Sequence, residues 1–204
     1  AKVNEELQQL YDIEGSDKMQ ILKMLTRLRQ LCLEPRLVYD NIDQPSSKLK
    51  ACMELIKTMQ ENKQKVLLFS SFTSALGLIA EECQKAGITY YMLTGSTNKE
   101  ERRELVSRFQ KDDTTLFLIS LKAGGTGLNL TSAENVIHYD PWWNVSAQNQ
   151  ATDRAYRIGQ KCNVQVFNLV MKDSVEEKII EMQKRKKELA DMFVENNSGG
   201  LSQM

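Results

Sequence analysis

One histidine, three prolines and no excess of either charge set the first limits on this chain of 204 residues. The four cysteines, Cys32, Cys52, Cys83 and Cys162, stand far apart and never form a Cys-x-x-Cys pair. With a lone histidine beside them, neither a zinc site nor a disulfide framework is expected, and the thiols are expected to be reduced and intracellular. Lys plus Arg and Asp plus Glu both number 27, so no overall positive charge draws the chain onto nucleic acid. Any such binding must come from a local patch. The longest apolar runs, at 66–69 and 116–119, are far too short to span a bilayer, and no basic-then-apolar leader opens the sequence. No membrane partner is expected, and the placement is cytoplasmic, or nuclear in a eukaryote. Also missing are a Gly-Lys-Ser or Gly-Lys-Thr phosphate loop, an Asp-Glu box and a Gly-x-Gly-x-x-Gly fingerprint. A start at Ala1 without methionine is expected of a piece excised from a longer protein.

What is present has the composition of a globular domain, 41% hydrophobic and 26% charged, and enough length for one domain with flanking helices. Ile21, Leu22, Leu25, Leu28, Leu31 and Cys32 recur with a period near 3.6, predicting an amphipathic helix over 18–34 that stops before Pro35. Ser46 or Ser47 caps a second helix to about Glu61, with Leu49, Cys52, Met53, Ile56 and Met59 inward. From Lys65 onward, short β-rich runs at 66–69, 89–93, 115–119, 135–139 and 164–170 alternate with helical patterns at 74–86, 99–109 and 146–158. Runs such as Val-Leu-Leu-Phe lack polar alternation, so both faces of the sheet should be covered by helices. The fold class is three-layer α/β/α around a mainly parallel sheet. A last helix, capped by Ser174 with Glu177 three residues on, runs to about Glu195 with Val175, Ile179, Met182, Leu189 and Phe193 as its apolar stripe. The expected division is a helical segment at 1–45, the α/β lobe at 46–172, a helix at 173–195 and a frayed tail at 196–204.

Four stretches carry candidate chemistry. In Gln150-Ala-Thr-Asp-Arg-Ala-Tyr-Arg-Ile-Gly-Gln160, a helix places Gln150, Arg154 and Arg157 at i, i+4 and i+7. One amide and two guanidinium forks on one face suit a polyphosphate. Ser120-Leu-Lys-Ala-Gly-Gly-Thr-Gly-Leu-Asn-Leu-Thr131 follows a strand, and its three glycines allow close backbone approach to an anion, though a plain tight turn uses the same residues. Asn135-Val-Ile-His-Tyr-Asp-Pro-Trp-Trp-Asn144 sends a strand into a loop with two adjacent indoles, placed either for a ligand or for packing. Lys65-Val-Leu-Leu-Phe-Ser-Ser-Phe-Thr73 brings hydroxyls to a strand-to-helix junction, where they bind phosphate or simply cap the helix. His138 has no partner at metal-ligand spacing and reads as structural. The basic run Lys184-Arg-Lys-Lys187 reads first as a solvated helix face.

Gln-Ala-Thr-Asp-Arg-Ala-Tyr-Arg-Ile-Gly-Gln resembles motif VI of the Swi/Snf branch of superfamily-two helicase-like ATPases. The other stretches resemble motifs V, Va and IV of that branch, and Leu93-Thr-Gly-Ser-Thr97 resembles a further phosphate-contacting turn. Leu25-Thr-Arg-Leu-Arg-Gln-Leu-Cys-Leu-Glu-Pro35 is similar to the segment joining the two lobes of such motors. The resemblance covers 22 to about 193 and implies the C-terminal RecA-like lobe of a double-stranded-DNA translocase. Absence of long insertions between the motifs points to a compact, bacterial member.

Arg154 and Arg157 are then the arginine fingers, with Gln150, Gly125, Gly127 and Asn129 at the ATP and coupling side. Ser70, Ser71, Thr73, Thr94, Gly95, Lys122, Thr126 and Trp143 face DNA. ATP and Mg2+ are held mainly by a first RecA-like lobe, which is the other expected partner, and the fragment alone should lack ATPase activity. Departures from the family pattern are Val145 where proline is common, Met92 and Thr94 where basic and acidic residues are common, and Glu34 where histidine is frequent. The competing reading is a non-catalytic nucleic-acid-binding or interaction module that keeps the fold. An RNA helicase is disfavoured because His-Arg-x-Gly-Arg-x-x-Arg is absent.

Overall fold

A computed structural model describes residues 18–124, 128–153 and 163–198. Helix α1 (Lys18–Leu33) is followed by a short 3-10 turn (Pro35–Leu37) and helix α2 (Ser47–Glu61). The alternating part runs β1 (Val66–Ser70), α3 (Thr73–Lys85), β2 (Tyr90–Leu93), α4 (Lys99–Lys111), β3 (Leu116–Ser120), α5 (Leu121–Gly124), β4 (Asn135–His138), α6 (Val145–Thr152) and β5 (Gln165–Asn168). Helix α7 (Val175–Ser198) closes the described chain.

The strands form one sheet in the order β2-β3-β1-β4-β5, and every neighbouring pair is parallel. Their side chains alternate between two apolar layers. Val66, Leu68, Leu116, Leu118 and Ile137 pack with α2 and α3, while Leu67, Phe69, Phe117, Ile119 and Val136 pack with Phe109 of α4 and Ala151 of α6. Burial on both faces accounts for the unbroken apolar runs of the central strands. Edge strand β5 covers only 165–168 of the expected 164–170, and its side chains are largely exposed.

Local chemistry fixes the element ends. Ser46 caps α2 by accepting from the Leu49 amide, and Asn98 caps α4 by accepting from the Glu101 amide. Gly87 turns the chain from α3 to β2 at φ 68, a conformation favouring glycine. Cys52 and Cys83 are buried free thiols in the core, and burial pushes Cys83 up to about 12.

Three expectations are corrected. The last helix continues to Ser198, beyond 195 and into the expected tail. Its apolar stripe reaches the core at Ile179, but Met182 and Leu189 are exposed. In α1 the buried positions are Arg29 and Leu33, whereas Ile21 and Leu22 are exposed, so the apolar stripe is covered only towards the C-terminal end of the helix.

Candidate functional site

Parallel pairing carries the C-terminal ends of β1, β2 and β3 to one edge of the sheet, the place where open α/β folds bind ligands. A cleft of about 410 Å³ opens there, lined by Ser71, Thr73, Thr94, Gly95, Ser96, Ser120 and Lys122. Helix α3 starts at its rim, and its N-cap residue Phe72 supplies no side-chain hydrogen bond to the first-turn amides. Those amides and the positive end of the helix dipole favour an anion. Lys122 is exposed beside them. The Thr94 and Ser96 hydroxyls hydrogen-bond each other at 2.8 Å. A Cβ at Gly95 would meet nothing within 4 Å, so packing inside the chain does not require this glycine.

Behind the cleft lies a buried polar cluster. Ser70 is fully buried and donates to Asp140 Oδ1 at 2.7 Å, so its side chain does not reach the cleft. Ser71 donates its amide to Asp140 Oδ1 at 3.0 Å and its hydroxyl to Asp140 Oδ2. Arg29 of α1 completes the cluster, donating through Nη2 to Ser71 Oγ at 2.8 Å and to Asp140 Oδ2 at 3.0 Å. Burial pushes the Arg29 guanidinium below its ordinary value and Asp140 draws it back up. Sequence reasoning did not single out Arg29 or Asp140. One signal was available, since Arg29 lies four residues after Leu25 and four before Leu33, on the inward stripe of an amphipathic helix.

Trp142 is partly buried against the core and Trp143 borders a second cleft, of about 620 Å³, with Asn144, Ser146, Asn149, Gln183, Lys186 and Lys187. The basic run of α7 is thereby brought beside the indole. A third cleft, about 800 Å³ and the largest of the three, is lined by Lys99, Arg102, Arg103 and Asn129 among others. Gln150 is exposed in the last turn of α6 and lines none of these clefts. Asn129 and Gln150 are the described members of the expected ATP set. Arg154, Arg157, Gly125, Gly127 and Thr126 lie outside the described residues. Among the described residues no group of three or more His, Cys, Asp or Glu side chains is placed to hold a metal ion, and no helix is long and apolar enough to cross a membrane.

Residues 47–159 match the helicase conserved C-terminal domain family. The chain is 38% identical over 184 residues to an ATP-dependent helicase of Mycoplasma pneumoniae, an alignment covering 90% of this chain and 18% of that protein. It is 36% identical over 192 residues to the mouse SWI/SNF-related matrix-associated actin-dependent regulator of chromatin subfamily A member 1, covering 88% of this chain and 18% of that protein. It therefore spans about a fifth of the length of these relatives. Among solved structures, the Sulfolobus solfataricus SWI2/SNF2 ATPase core in complex with double-stranded DNA superposes with a TM-score of 0.75 at 32% identity, over 92% of this chain and 40% of that one. A five-stranded parallel sheet with helices on both faces, a family match through its centre and relatives of one type place the chain in the helicase conserved C-terminal domain family, as a RecA-like lobe of the SWI2/SNF2 kind.

Proposed function

We propose that this chain is the second motor lobe of an ATP-dependent translocase on double-stranded DNA, and that the cleft ending β1, β2 and β3 grips the backbone of one strand. The observation that carries the proposal is the cleft itself, which sets hydroxyls, an uncapped helix N-terminus and Lys122 around one opening. Such groups meet phosphate rather than base edges, so the contact is independent of sequence. Thr73, Thr94, Gly95 and Lys122 line it, with Ser71 at its inner wall and Thr126 assigned to the same role from the motif. A neighbouring SWI2/SNF2 core solved on double-stranded DNA supports this choice of ligand.

ATP hydrolysis belongs to the whole protein. No Gly-Lys-Ser, Gly-Lys-Thr or Asp-Glu box occurs in these residues, so triphosphate and Mg2+ are assigned to a first lobe, and the chain alone is without ATPase activity. Arg154 and Arg157 reach across the interlobe cleft as fingers that stabilise charge on the transferred phosphoryl group. Gln150, Gly125, Gly127 and Asn129 lie between nucleotide and DNA, and Trp143 couples the two. The protein is accordingly DNA-associated in the cytoplasm, or in a nucleus.

Arg157→Ala in the full-length motor tests the assignment. DNA-stimulated ATP hydrolysis should fall by roughly two orders of magnitude or more, the scale of an arginine finger, with far less change in DNA affinity. Turnover near the wild-type rate removes Arg157 from the role.

A further inference from the structure

Arg29 is only 8% exposed although it belongs to a helix whose first half stands in solvent. Besides its bonds to Ser71 and Asp140, its Nη2 donates to the Pro141 carbonyl at 3.3 Å. Its Cζ lies 4.9 Å from the Phe72 ring centroid and 5.7 Å from those of Trp142 and Trp143. A single side chain of α1 thus touches both the β1-to-α3 loop that walls the cleft and the Pro141-Trp142-Trp143 loop. Lysine is a poor substitute, since its compact, strongly hydrated ammonium lacks the planar, delocalised face that lies near these three rings while Nη2 donates to the acceptors.

The cluster also restrains Ser71. Both of its donors, amide and hydroxyl, point at Asp140, and the hydroxyl oxygen accepts from Arg29, so Ser71 has no free donor for a phosphate in the cleft. Ser71 gains a donor for DNA only when Asp140 withdraws, and Arg29 is the cation that sets where Asp140 sits. We infer that Arg29 is a positioning residue: by holding Asp140 and the tryptophan loop against Ser71, it converts movement of α1 into a change in the donors presented to DNA. This inference rests on the translocase reading, in which α1 belongs to the segment joining the lobes. A buried ion pair serving stability alone is the alternative, and it is separable because exchanging both partners of such a pair for neutral groups is far less costly than removing one.

The test uses Arg29→Lys, which keeps the charge, and Arg29→Met combined with Asp140→Asn, which removes the pair without leaving an orphan charge. Trp142 and Trp143 are the only tryptophans of this chain, so their fluorescence reads the cluster directly. Arg29→Lys should raise acrylamide quenching of that fluorescence. In the full-length motor both variants should release Ser71's donors and so lower the DNA concentration for half-maximal ATPase stimulation on the order of fivefold or more, with DNA-free hydrolysis unchanged. An unchanged DNA response in Arg29→Lys overturns the inference, whatever the tryptophans report. So does a paired variant that recovers wild-type melting and wild-type DNA response together. Wild-type protein with no DNA stimulation at all defeats the translocase reading instead, while quenching still decides whether Arg29 places the loop.

Discussion

At the scale of single residues, His138 shows how burial makes one group report on folding. Its Nε2 lies 2.8 Å from Thr152 Oγ1, whose own proton goes to the Gln148 carbonyl, so the ring is the donor and Nδ1 is left buried without a partner. Burial pushes its pKa from 6.5 down to about 4. The unfolded chain therefore takes up a proton that the folded one refuses. Stability is fully present above about 6.5 and declines as pH falls towards about 4, by at most about 1.4 kcal/mol per pH unit. His138 is the sole histidine, so urea midpoints measured from pH 7 to pH 5 isolate it from most carboxylate titration. They should fall in the wild type and flatten in His138→Gln; a flat wild-type profile defeats the assignment. Much of the candidate cleft was legible at this scale, because Ser71, Thr73, Thr94, Gly95 and Lys122 each follow a strand end and parallel strands gather those ends. Ser70, Arg29 and Asp140 were not. The Arg29 to Asp140 pair joins residues 111 positions apart, and only tertiary packing decides that Ser70 turns inward to meet it.

At the scale of elements, periodicity and caps located the five strands and helices α1 to α4 and α7 within a few residues, since Ser46, Ser174 and the residues before Pro35 act locally, whereas the short α5 was not expected and the end of the helix expected at 146–158 lies outside the described residues. How far a stripe reaches the core was not local information. Helix α7 is fastened to α2 by Lys48 and Glu176, whose contacts of 2.6 and 2.7 Å lie almost wholly out of solvent. Glu176 also accepts the Met171 amide at 2.7 Å, and Lys48 sits 5.3 Å from the Tyr139 ring centroid. Burial pushes the Glu176 carboxyl up and Lys48 pulls it down, so the ion pair offsets a desolvation cost that either charge alone would leave exposed. Lys48→Ala or Glu176→Ala should each lower unfolding free energy by roughly 3 to 5 kcal/mol, while Lys48→Met with Glu176→Gln recovers most of that loss. Denaturant titration of the three variants checks it. Equal losses in the single and paired variants remove the ion pair as the fastening.

For the whole molecule, equal numbers of acidic and basic residues leave no overall positive charge, and the cleft proposed to grip DNA has a single cation, Lys122, in its lining. This makes the contribution of that cation countable. A protein that neutralises phosphates releases condensed counterions, and log K falls with log salt by about 0.9 for every phosphate engaged on duplex DNA. If Lys122 meets a phosphate, Lys122→Ala in the full-length motor should reduce the magnitude of that slope by about one. The weakening should be the same on duplexes of unrelated sequence, because the backbone carries no base information. Stability should change little, since Lys122 is exposed. Binding measured across a salt series on two unrelated duplexes distinguishes the outcomes. An unaltered slope takes Lys122 off the phosphate path. A loss confined to one sequence means that the cleft reads bases, which a motor that advances along any duplex cannot depend upon.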